Sequence, residues 1–159
     1  MDPRIATGFL GTEASFAADI ALLFYVLLIV PGMIGGYILA RGRNYFYHEL
    51  MMTGIVLINW FIIAYLMFYT YSTVIFPSVP SHPRDELLFR LATIHGITGL
   101  IAQIIGTLLV LQMWLGPLWT FRLEPFRRWM CLTLVLWLIT AVLGVTVYVA
   151  TWGLPFASN

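Results

Sequence analysis

Apolar residues run along the chain in four long stretches separated by short polar breaks, and they cover much of each helical circumference rather than a single face. A helix needs about 20 consecutive apolar residues to cross the hydrocarbon of a bilayer. Residues 16–40, 50–72, 87–115 and 131–154 meet that length. The pattern predicts an all-α integral membrane protein, one domain over residues 1–159, folded as an antiparallel bundle of four transmembrane helices. The breaks are short. Arg41 and Arg43 follow the first stretch, Arg122, Arg127 and Arg128 precede the fourth, and Arg84 sits beside Asp85 and Glu86 in the second break. Basic loops stay on the cytoplasmic side, so this distribution predicts both termini on the outer side.

Aromatic positions agree with those boundaries. Tyr45, Tyr47, Trp114, Trp119 and Trp129 fall at the predicted inner ends, and Tyr69, Tyr71 and Trp152 at the outer ends. The proline-rich run from Phe76 to Pro83 cannot form a regular helix and is expected to cap the outer mouth of the bundle. Pro31 predicts a kink in the first helix. Small residues one turn apart mark helix contact faces in lipid, and Gly32 with Gly36, Ala92 with Gly96, Ala102 with Gly106, and Thr140 with Gly144 have that spacing.

Composition excludes a soluble fold. Of 159 residues, 61% are hydrophobic and 9% charged, with mean hydropathy +0.92, which leaves too few polar side chains to cover a water-facing surface. The net charge of +1 supplies no basic surface for nucleic acid. The lipid bilayer is the first expected partner. Cys131, the one cysteine, forms no internal disulfide and reads as a packing thiol. The first stretch passes into Arg41 and Arg43 without a cleavage pattern and is expected to be a retained helix.

Polar groups inside the spans are few, and each is expensive unless paired. Asn59 and Gln103 lie near the middle of the second and third stretches, at matching depth, and are expected to bond to each other across the helices. Asp19, Glu49 and Arg90 stand near helix ends, where snorkelling is expected to carry them to water or headgroups. His48 opens the second helix at the inner face, whereas His95 lies about eight residues, roughly 12 Å, into the third helix from the outer face. One haem cannot take both. His82 in the outer loop could approach His95 from above, giving a haem b site. The competing reading of His95 is a hydrogen bond across helices, with Gly96 and Gly99 admitting close approach. Arg122, Arg127 and Arg128 are candidates for anionic headgroup contact, against a plain role in topology. No nucleophile elbow, phosphate loop, carboxylate pair or zinc spacing is present, so autonomous catalysis is not expected.

Three stretches carry a resemblance to a bacterial membrane family, domain of unknown function 420. They are His48-Glu49-Leu50-Met51-Met52, Thr93-Ile94-His95-Gly96, and Arg127-Arg128-Trp129-Met130 leading to Trp137-Leu138-Ile139-Thr140-Ala141-Val142-Leu143-Gly144-Val145-Thr146-Val147-Tyr148. The resemblance implies four helices, a bacterial inner-membrane location and histidines in an inner and an outer pair, in a family with some members implicated in haem-copper oxidase maturation. His48 would be the inner histidine of helix two and His95 the outer histidine of helix three. Their partners are missing, since neither Phe126-Arg127 nor residues 68–71 include histidine. The expectation that follows is a non-catalytic accessory or assembly subunit, without a cofactor of its own, docked on the subunits of a larger respiratory or photosynthetic electron-transfer complex. The alternative is a haem b protein using His95, with His82 or a partner residue opposite. A transporter or channel ranks third.

Overall fold

The computed structural model describes residues 7–75, 83–118 and 122–153. Four helices in it are long and apolar enough to cross a membrane: α1 (Phe16–Arg41), α2 (Tyr45–Thr73), α3 (Pro83–Leu115) and α4 (Phe126–Trp152). No strand is found among the described residues. Helices α2 and α4 begin at Tyr45 and Phe126, each ahead of its apolar run. The extra turns are rich in aromatic and basic residues, and they stay helical because backbone groups near lipid need internal partners.

Local sequence sets the ends. Ser15 caps α1, its Oγ accepting the Ala18 N–H at 3.3 Å. At the other end Arg43 adopts φ 59°, and the N–H groups of Arg43 and Asn44 donate to Ala40 and Leu39 carbonyls at 3.2 and 3.0 Å. That is a Schellman stop with arginine at the position glycine usually takes. Helix α4 ends at Gly153, φ 89°.

Pro31 does not break α1. A π-helical turn at Tyr25–Ile29 precedes it, and the carbonyl the proline ring would otherwise strike, that of Leu27, lies within this wider turn. A second π turn, Ile62–Met67, follows Asn59 in α2.

The core is thin. Ile29, Met33, Ile55, Val56, Ile62, Ala102 and Trp137 form one buried cluster, and Leu10, Ala14, Ala18 and Tyr148 a second. Only 17–28% of the most apolar window of each span is buried. Side chains such as Leu27, Ile38, Leu57, Phe61, Phe68, Ile97 and Val142 face outward, a surface only lipid or another apolar surface can cover. The small-residue faces pack, with one exception. An added Cβ on Gly32 or Gly36 would lie 2.8 Å from Ile55 or 2.7 Å from Met52, whereas Gly96 faces open space and Gly99 makes the approach instead, 3.0 Å from Thr140.

Asp19 requires a correction. Rather than snorkelling to water, its side chain is 0% exposed. Residues 7–15 fold back over the start of α1, with Gly8 N–H donating to the Ala14 carbonyl at 2.8 Å. The Phe9 and Leu10 amides then donate to Asp19 Oδ2 at 2.7 and 2.9 Å, and the Tyr148 hydroxyl of α4 donates to Oδ1. Hydropathy could not reveal this, because the carboxylate is held by backbone groups and not by a charged partner. Arg90, by contrast, is exposed and pairs with exposed Glu86 one turn back, and Glu49 is half-buried.

Asp19→Ala would leave two amides and a phenol without their acceptor, and a loss of about 3 kcal/mol is expected. Thermal unfolding in detergent should show a lowered Tm, with faster proteolysis within residues 7–15. Gly8→Ala should act in the same direction, since its Cβ would come within 2.3 Å of Asp19 Oδ2. Exposed Glu13→Ala should change neither readout.

Candidate functional site

Besides the Asp19 cluster, three constellations hold polar groups within the spans. The first lies at mid-helix. Asn59 Nδ2 donates to Gln103 Oε1 at 2.7 Å, so the structure brings together the two amides that depth alone had matched. It also adds two partners. Gln103 Nε2 donates to the Val56 carbonyl at 2.9 Å, and the Tyr25 hydroxyl donates to Asn59 Oδ1 at 2.7 Å. The order of donors is forced. A backbone carbonyl only accepts, so Gln103 must turn its NH₂ toward Val56 and its oxygen toward Asn59. Asn59 must then donate, leaving its own oxygen for Tyr25. Both amides are fully buried. Tyr25 escaped the sequence reading, although a tyrosine deep in a span, away from the interfacial belts, was the available signal.

Flanking hydrogen bonds tie α2 to α3 along their length. Trp60 Nε1 donates to Thr107 at 3.0 Å, Trp114 Nε1 to Thr53 at 2.8 Å, and the Tyr71 and Thr93 hydroxyls lie 3.1 Å apart.

The second constellation centres on His95. Its Nδ1 lies 3.0 Å from the Thr140 carbonyl of α4. That oxygen can only accept, so Nδ1 carries the proton and the neutral ring presents an Nε2 lone pair. The glycine that admits the ring is Gly144, where a Cβ would meet His95 Cε1 at 2.8 Å. His95 lines a cavity of about 500 Å³ with Met67, Tyr71, Gly99 and Tyr148. A carbonyl-oriented imidazole is the usual arrangement of a metal-binding histidine. His95 is the residue of the expected haem pair that lines this cavity, and the Met67 side chain lies on the same wall. His82, the expected second ligand, lies outside the described residues. Among the described residues no group of three histidine, cysteine or carboxylate side chains is placed to hold a metal ion.

The third constellation repeats that design. His48 is buried in the first turn of α2, its Nδ1 2.8 Å from the Gly36 carbonyl of α1, and it lines a separate cavity of about 770 Å³. Arg41, Arg43 and Arg127 line the same cavity. The three arginines singled out for headgroup contact, Arg122, Arg127 and Arg128, are all exposed, and Arg127 lines this cavity. Trp137 Nε1 is buried without a hydrogen-bond partner among the described residues.

Set against protein-family models, curated proteins and solved structures, the chain finds no match in any of the three. The family resemblance rests on the residues quoted for it.

Two sets of variants test this geometry. Asn59→Leu and Gln103→Leu should each destabilise, and the double variant should lose less than their sum, with a coupling of about 0.6–2 kcal/mol in reversible unfolding from mixed micelles. Gly144→Ala should lower Tm by displacing the His95 ring, while Gly96→Ala, with nothing within 4 Å, should be neutral or slightly stabilising.

Proposed function

We propose that the chain is a multi-pass protein of the bacterial inner membrane and serves as a non-catalytic accessory or assembly subunit of a larger electron-transfer complex, respiratory or photosynthetic, related to the haem-copper oxidases. In this reading the helices alternate in direction and both termini face outward. The arginines support the orientation, with Arg43 and Arg122 in the first and third connections and Arg41, Arg127 and Arg128 in the helix turns next to them. The α2–α3 bonds support the alternation. As the α2 partner moves from Thr53 through Asn59 to Tyr71, its α3 partner moves back from Trp114 through Gln103 to Thr93.

One observation carries the functional reading. The polar groups in the spans are largely engaged in holding helices together, while most of each apolar window faces outward. Such a bundle offers a rigid frame and broad apolar faces, the properties required of a subunit that docks in lipid against another membrane protein. The resemblance to the family with members implicated in oxidase maturation supplies the kind of complex.

The free Nε2 of His95 in an apolar cavity favours a second reading, a haem b protein of electron transfer or haem handling. Bound haem would supply one-electron chemistry. His95 would hold the iron, Thr140 would fix the ring, and the apolar wall would exclude water.

Gentle extraction from the native membrane, with mass spectrometry and an oxidised-minus-reduced visible spectrum, separates the two. Reproducible recovery with subunits of an electron-transfer enzyme, and no Soret absorption belonging to this chain, is the expected result. A solitary monomer contradicts the accessory role. A Soret band that disappears in His95→Ala selects the haem reading.

A further inference from the structure

The cavity beside His48 differs in character from the one beside His95. It opens among the last turns of α1, the first turns of α2 and α4 and the end of α3, and it encloses about 770 Å³, within the range of ligand sites. Arg41 lines it from the last turn of α1, Arg43 from the connection that follows, and Arg127 from the first turn of α4. Among the described residues none of the three is paired with a carboxylate, and the arginine ion pair there is Arg90 with Glu86, on α3. Glu49 also lines the cavity. Three cations against one carboxylate leave an excess of positive charge at the opening. Behind it the wall turns apolar and pliable, with Met33, Met52, Met113 and Met130. Arg43 stands at a left-handed turn position that glycine fills without strain.

We propose that this cavity is a specific site for one anionic phospholipid of the surrounding bilayer. Its phosphate is bound by Arg43 and Arg127, with Arg41 adding charge, and an acyl chain lies along the methionine wall. Guanidinium groups recognise phosphate oxygens through paired N–H donors, which a zwitterionic headgroup engages less well because its own cation is repelled. His48, whose Nδ1 is committed to Gly36, lines the same cavity. This inference rests on membrane residence and not on the electron-transfer reading, so either can fail alone.

The test is native mass spectrometry of the full chain released from nanodiscs of phosphatidylglycerol or phosphatidylcholine, with inorganic phosphate titrated in parallel. One phosphatidylglycerol should survive release, phosphatidylcholine should not, and Arg43→Gln with Arg127→Gln should weaken retention at least about tenfold. Arg90→Gln should leave retention unchanged. Glu49→Gln, which removes the one acidic group at the opening, should tighten binding, a gain that misfolding cannot imitate. Equal retention of both lipids, binding of inorganic phosphate in place of lipid, or weaker binding in Glu49→Gln would overturn the proposal.

Discussion

In a bilayer no water reaches the middle of a helix, so every polar side chain placed there must find its partner within the protein. The hydrogen bonds from Tyr25 to Asn59 to Gln103 to the Val56 carbonyl meet that constraint across α1, α2 and α3. The Val56 carbonyl fixes the direction of the whole run, and a run with one permitted direction also fixes which faces of three helices meet. Apolar packing alone would not, because lipid competes for the same surfaces on equal terms. The Ile29, Met33, Ile55, Val56, Ala102 and Trp137 cluster closes around a register that the amides set.

The same economy governs the two ends. At one end the Asp19 carboxylate gathers two backbone amides and the Tyr148 hydroxyl, so a single side chain seats residues 7–15, α1 and α4 against one another. At the other, His48 donates to a carbonyl of α1, and Arg41, Arg43 and Arg127 line the cavity beside it. Both described histidines use Nδ1 to lock a helix contact, and both line a cavity. The outer apolar faces remain for lipid.

Much of this was legible in the sequence where depth along a helix decides the outcome. Asn59 and Gln103 sit at matching distances from their helix ends, and hydropathy alone brought them level. His95 was read as either a ligand or a helix contact. Its bond to Thr140 supports the contact; of Gly96 and Gly99 only Gly99 makes the close approach, and the glycine against the ring itself is Gly144 on the facing helix. Asp19 was misjudged because its partners are backbone amides of a segment whose folding back leaves no trace in periodicity. Tyr25 was missed since hydropathy scores its ring and ignores its hydroxyl. Helix rotation, which decides what His95 and Tyr25 face, depends on packing against neighbours that a single sequence does not display.

The central claim is that the buried amide run exists in the bilayer with one fixed orientation. Magic-angle spinning NMR of isotope-labelled protein in lipid bilayers tests it most directly, through side-chain amide exchange and proximity to backbone carbonyls. The account predicts that the Gln103 NH₂ is protected from deuterium exchange and shows a cross-peak to the Val56 carbonyl carbon, while the Asn59 NH₂ contacts Gln103. Rapid exchange at both amides, or a Gln103 NH₂ directed at Tyr25 or lipid, would contradict it.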